Sequence, residues 1–151
     1  MNRLYKEIES FMSFLKRVDL SKVFDVDLSN SEMVLLRTID DISSKKEISS
    51  VYVSDIVDAL SISAQAISKC FKGLESKGYI ERFTNKNDRR RTEVRFTDYG
   101  KENYRKLIGS ICDFMKDIFA GFGKEEYEQF VILIKKFRLL YENGINKLCD
   151  N

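Results

Sequence analysis

The apolar pattern of this chain changes its period twice in mid-sequence, and that change decides what the chain can fold into. Through "VYVSDIVDALSISAQAISKCFKGLESKGYI" apolar residues recur every three or four positions. Ile56, Val57 and Leu60 mark one short helix, and Ile67, Cys70, Phe71 and Leu74 mark a second. Ser54 and Ser63 stand where N-caps belong. Only "SIS" separates the two helices, the tight connection of a helix-turn-helix. Gly78 supplies a left-handed stop. Beyond it, "YIERFT" and "TEVRFT" alternate as strands do, with Val94 and Phe96 on one face and Glu93 and Arg95 on the other. Between them lies "NKNDRRR", a turn rich in Asn and Asp. A helix-turn-helix followed at once by a hairpin is a winged arrangement, with three arginines at and just beyond the tip.

The flanks are helical. Proline is absent, so helix ends must be read from caps and glycines. Leu4, Ile8, Phe11, Leu15 and Val18 predict an N-terminal helix, and Tyr5, Met12 and Phe14 make it apolar on a second side. Ser29 and Glu32 form a capping-box pair ahead of Met33, Leu36 and Ile39, and "SSKKEISS" follows as a polar connector. Thr97 caps a long helix carrying Tyr104, Leu107, Ile111, Met115 and Phe119, which Gly121 and Gly123 break. The last helix runs from about Lys124 to Leu148 with two apolar stripes. One holds Tyr127, Phe130, Ile134, Phe137 and Tyr141; the other holds Ile132, Leu133, Leu139 and Leu140. Two stripes need two partners: the chain's own long helix and a second copy of the protein. The expected fold is mainly α with a small β-hairpin wing. An N-terminal dimerisation helix (1–27) precedes a winged helix-turn-helix lobe (28–97), and C-terminal dimerisation helices (98–151) form one unit with the first.

Composition narrows the chemistry. The chain has no histidine, which removes the usual general base and the commonest transition-metal ligand. No nucleophile–base pair, glycine-rich phosphate loop or metal-spaced cluster stands in for it, so neither an enzyme nor a cofactor is expected. Three scattered cysteines, Cys70, Cys112 and Cys149, make no disulfide framework, and Cys70 falls on an inward stripe as a core thiol. The N-terminal stretch carries acids among its apolar residues and reads as neither signal peptide nor membrane span, so a cytoplasmic protein is expected. Charge is uneven. Ser61 to Thr97 holds nine basic side chains against four acidic, a surplus of five in a chain of net +2, so the remainder carries −3. A basic centre between acidic arms suits a partner that is a polyanion.

In this order of elements the sequence resembles the MarR family of winged helix-turn-helix transcriptional regulators. The likeness runs from Val53 to Lys101. Leu74, Glu75 and Gly78 match the family's Leu-Glu-x-x-Gly at the end of the recognition helix. Asp88 and Arg90 match its Asp-x-Arg in the hairpin, and Phe96, Thr97 and Gly100 its apolar-Thr-x-x-Gly step into the next helix. Asn87 stands where that pattern often has proline. The resemblance implies a cytosolic homodimer, usually a repressor, that binds palindromic double-stranded DNA and releases it or changes its grip when a small ligand or an oxidant acts.

Under that reading the second helix of the pair enters the major groove. Gln65 suits adenine and Ala66 a thymine methyl, while Ser63, Ser68, Lys69 and Lys72 suit bases or phosphates. Ser63 is equally a helix cap. In the wing, Arg90 is the first choice for the minor groove, with Lys86, Arg89 and Arg91 for phosphates, and Asp88 shapes the turn. Tyr5, Phe11, Phe14, Tyr104 and Ile108 are candidates for an effector cleft. The alternative is a dimeric winged-helix module that docks protein and binds no DNA.

Overall fold

In the computed structural model, which describes residues 2–60, 64–85 and 91–149, the two period changes fall where the sequence places them. Seven helices and three strands follow the order α1 (Asn2–Arg17), α2 (Leu20–Val23), α3 (Asn30–Lys46), β1 (Val51–Tyr52), α4 (Val53–Leu60), α5 (Ala64–Ser76), β2 (Ile80–Thr84), β3 (Thr92–Phe96), α6 (Asp98–Ala120) and α7 (Lys124–Cys149) among the described residues. The fold is mostly helical with one small antiparallel sheet. Two compact units meet in the sequence at Ile108 and Gly109.

Helix α3 begins on the expected capping box. The Ser29 hydroxyl accepts from the Glu32 backbone N–H, and the Glu32 carboxylate accepts from the Ser29 N–H at 2.8 Å. The helix then runs through residues expected as connector, to Lys46. Glu47, at φ 52°, ends it in the left-handed region. Lys46 there reaches Asp55 on α4 at 2.6 Å. The connector is therefore shorter than the polar composition suggested.

Two local features escaped the sequence reading. Asp19 caps the short helix α2, its carboxylate accepting from the Ser21 N–H. Val51 and Tyr52 form a third strand, and α4 starts directly after it, so Ser54 lies inside the helix and is not its cap. The sheet order is β1-β3-β2, which makes β3 the central strand.

The core of the first unit gathers where α3, α4, α5 and the sheet meet. Leu35, Leu36, Ile39, Ile56, Ile67, Phe71, Leu74, Val51 and Val94 are each no more than 1% exposed. Glu32 closes this packing at its polar edge. Besides capping α3, it accepts from Lys77 Nζ at 2.9 Å, beyond the end of α5. A Cβ at Gly73 would lie 2.3 Å from its Oε1, so glycine leaves the carboxylate its room.

Helix α5 ends in a Schellman turn. The Gly78 N–H donates to the Glu75 carbonyl, the Tyr79 N–H donates to the Leu74 carbonyl, and Gly78 sits at φ 74°. The next helix is then seated on the same turn. The Thr97 N–H donates to the Tyr79 carbonyl at 3.1 Å, and the Thr97 hydroxyl donates to the Gly78 carbonyl. That hydroxyl also accepts from the Gly100 N–H at 2.9 Å, so Thr97 caps α6 as expected. A Cβ at Gly100 would fall 1.9 Å from the Tyr79 carbonyl oxygen.

In the second unit, Gly121 and Gly123 break the helices. The Gly123 N–H donates to the Glu126 carboxylate at 2.8 Å at the start of α7. Phe119 packs its ring against Phe122, Tyr127 and Phe130, with centroids 5.2–5.6 Å away.

Two outcomes test this frame. Gly100→Ala meets backbone that cannot rotate away, so it should cost about 3 kcal/mol or more in denaturant unfolding. Gly73→Ala meets a side chain instead. It should cost about 1–2 kcal/mol by evicting Glu32, and nothing in a Glu32→Ala background, where alanine's helix propensity takes over.

Acid unfolding offers a further check. Desolvation raises the Glu32 pKa, but the Ser29 N–H and Lys77 outweigh it and hold the carboxyl below its ordinary 4.5. Hydrogen bonds from Arg82 hold Glu75 below it too. Their contribution is present above 4.5 and is lost as pH falls through the lower folded values. Glu32→Gln should flatten stability between pH 5 and pH 3, roughly the window of ordinary carboxyl titration.

Candidate nucleic-acid interface

Helix α5 turns its apolar stripe inward except at Cys70, which is half-buried and not the core thiol expected, and this leaves a polar face outward. Ile67, Phe71 and Leu74 are buried, whereas Gln65, Ala66, Lys69 and Lys72 are exposed and Ser68 is half-buried. Among the described residues no carboxylate pairs with Lys69 or Lys72. Cys70 is half-buried, and with Leu35, Leu60 and Ile67 it borders a shallow apolar hollow. Ser63, with its two expected roles, lies outside the described residues.

The wing stem is built from β2 and β3. Their register pairs Ile80 with Phe96 and Thr84 with Thr92, and the Asn85 N–H donates to the Arg91 carbonyl at 2.9 Å. Lys86, Asp88, Arg89 and Arg90 lie outside the described residues. Arg91 is described: its guanidinium lies 3.6 Å from the centroid of the Tyr52 ring, a cation–π contact with β1.

The sheet's two faces carry different chemistry. On the inner face Arg82 makes a two-pronged pair with Glu75, Nε to Oε1 at 2.9 Å and Nη2 to Oε2 at 2.5 Å, and it covers the Phe71 ring. Glu75 of the Leu-Glu-x-x-Gly segment thus ties α5 to the hairpin. On the outer face Arg95 is exposed and pairs with Glu81 at 2.6 Å. Glu93 shares that face by alternation, yet it is only 9% exposed. It lies between its register partners Tyr52 and Phe83, and it accepts hydrogen bonds from Ser50 and Asn85. The alternation alone sets Glu93 on the same face as the exposed Arg95 and does not reveal its burial. The missed strand β1 is what covers it, and the β-prone "VYV" was the available signal.

An open cleft of about 1020 Å³ lies in the first unit, bordered by Ile48, Arg95, Phe96, Lys101, Tyr104 and Arg105 among others. Burial pushes the Tyr104 hydroxyl up to about 12. Tyr104 and Ile108 border this cleft, whereas Tyr5, Phe11 and Phe14 do not and stand exposed on α1. No group of three or more potential ligands able to hold a metal occurs among the described residues. Likewise no described helix is long and apolar enough to cross a membrane.

Two short helices in tight succession, closed by a three-stranded sheet with a basic hairpin, define a winged helix-turn-helix protein. The MarR family model matches residues 28–92 of this chain. Two uncharacterized HTH-type transcriptional regulators of Bacillus subtilis (strain 168) are similar. YdgJ is 32% identical over 95 residues, 63% of this chain and 56% of the relative. YwhA is 28% identical over 84 residues, 56% of this chain and 60% of the relative. The match thus spans little more than half the length of these relatives.

Solved structures show the same fold at lower identity. Streptococcus pneumoniae FabT in complex with DNA has a TM-score of 0.73 at 23% identity, covering 94% of this chain and 97% of that one. A mutant of MepR from S. aureus has 0.70 at 20%, covering 93% and 97%. Apo wild-type MarR from E. coli has 0.63 at 22%, covering 91% and 95%.

Because Arg82 binds Glu75 with two bonds across α5 and β2, Arg82→Lys should lose that two-point grip. The expected cost is about 1–2 kcal/mol in urea unfolding, with Arg82→Ala costing more. Equal stability of Arg82→Lys and wild type would show that the pair only decorates the surface.

Proposed function

We propose that this chain is a transcriptional regulator that binds double-stranded DNA as a homodimer on a palindromic operator, acting in the cytoplasm as a ligand-responsive repressor. The observation that carries the reading is the outward face of α5. Gln65, Ala66, Lys69 and Lys72 are exposed on the second helix of a helix-turn-helix, with no acid among the described residues to neutralise the lysines. Gln65 and Ala66 read base edges, and Ser63, Ser68, Lys69 and Lys72 add bases or phosphates. Arg90 reaches the minor groove, flanked by Lys86 and Arg89 on phosphates, while Asp88 shapes the turn. The DNA-bound state of a structural relative, FabT, supports the assignment.

The dimer is supported by apolar surface left uncovered among the described residues. Every residue from Arg3 to Arg17 on α1 is exposed, among them Leu4, Phe11 and Phe14. On α7, Ile132, Leu133, Leu139 and Leu140 are each about three-fifths exposed (58–64%). Apolar area of this extent on a lone molecule is an association hazard; on a dimer it is an interface. Residues 1–27 and 98–151 serve as dimerisation helices in this reading, and the cleft beside Tyr104 receives the effector.

Three measurements test it. The purified protein should retain a defined sequence from a random duplex pool, and retention of none would end the proposal. Against that sequence Arg90→Ala should weaken binding by about tenfold or more at fixed salt, whereas Lys69→Ala and Lys72→Ala should each lower the slope of log affinity against log salt by about 1. Light scattering should give twice the chain mass, and Leu133→Glu with Leu140→Glu should shift it toward the single chain. A wild type of single-chain mass would remove the dimer.

A further inference from the structure

We propose that Glu93 is a positioning residue for the wing, clamping both stems of the hairpin loop and thereby setting how that loop meets DNA. The inference rests on the DNA-binding reading above. Glu93 occupies the central strand, where a side chain of this burial would ordinarily be apolar: its register partners are Tyr52 on β1 and Phe83 on β2. A carboxylate held there costs free energy unless its oxygens are satisfied. Both are. Ser50 Oγ donates to Oε2, and Asn85 Nδ2 donates to Oε1.

Where those bonds go is the informative part. Asn85 is the residue at which the chain leaves β2 for the loop, and its N–H closes the stem onto the Arg91 carbonyl. Its side-chain amide also lies 3.4 Å from the Tyr52 hydroxyl. Arg91 is the residue at which the chain returns. Its guanidinium rests on the Tyr52 ring, and its charge helps hold the Glu93 carboxyl below the ordinary range, after the hydrogen bonds from Ser50 and Asn85. One carboxylate therefore grips the outgoing stem, attracts the returning one and ties both to the segment entering β1. A leucine at this position would pack between Tyr52 and Phe83 but could hold neither stem. Arg91 is accordingly an anchor of the stem.

The test measures binding to the duplex that the wild-type protein selects from a random pool. If the wild type selects none, the DNA-binding reading falls and this proposal with it. Given a selected duplex, Glu93→Leu and Glu93→Ala should each weaken binding roughly tenfold. Glu93→Gln should stay within about threefold, because its amide still serves Asn85 and Ser50. The decisive arm is a double-mutant cycle: with Arg90→Ala already present, Glu93→Leu should cost less than about twofold, since the contact it positions is gone. Full-strength binding by Glu93→Leu would overturn the proposal. So would an undiminished loss in the Arg90→Ala background, which would mark Glu93 as general structure.

Discussion

The backbone of Tyr79 is where the architecture is decided. Its N–H closes the turn that ends α5, its carbonyl receives the Thr97 N–H, and the same oxygen leaves no space for a Cβ at Gly100. Helix, sheet and following helix are thereby seated on one residue, and the left-handed Gly78 beside it is what lets the chain reverse so sharply. The Leu-Glu-x-x-Gly and apolar-Thr-x-x-Gly segments are the two halves of this junction. Leu74 fills the core, Glu75 grips Arg82, Gly78 turns the chain, Thr97 caps α6 and Gly100 makes the close approach. The orientation of α5 relative to the wing follows from it, and so does the direction in which Lys69 and Lys72 face.

How much of this could be read from the sequence depends on the range of the interaction. The capping box at Ser29, the inward stripe of α5, the stop at Gly78, the cap at Thr97 and the two wing strands are set by neighbours a few residues apart, and all were legible. Apart from the short helix that Asp19 caps, what escaped depends mostly on partners far along the chain. Ser50 and Glu93 are 43 positions apart, and Glu32 and Lys77 are 45 apart. Strand β1 has two residues and exists only because β3 offers an edge to it. The β-prone "VYV" is the one local hint of a strand that short. With that strand in place, Glu93 lies between Tyr52 and Phe83 and is buried. Conversely, the polar "SSKK" run misled because composition cannot separate a loop from a solvated last helical turn.

The exposed apolar residues fit one account. In the winged lobe large apolar side chains are mostly buried, but along α1 and α7 they are mostly exposed. Marginal stability would not support both patterns in one lone chain, because the ordering of two long helices needs compensating burial. The two stripes on α7 supply the geometry that the proposed dimer uses: Tyr127 and Phe130 pack against Phe119, and the rest of both stripes stays open.

The charge surplus of the central segment also becomes sharper in three dimensions. Counted along the sequence, nine basic residues from Ser61 to Thr97 face four acids as a diffuse excess. In the fold the acids are not spread among them. Glu75 is taken by Arg82, Glu81 by Arg95, and Glu93 by Ser50 and Asn85 with Arg91 close by, while Lys77 is drawn to Glu32. Those basic residues hold the scaffold together and have little field left for a partner. The segment's cations that stay uncompensated among the described residues are Lys69 and Lys72, both on the outward face of α5. Internal pairing therefore concentrates the positive potential on the face proposed to meet DNA, so loss of a scaffold acid would act on binding through geometry before it acted through net charge.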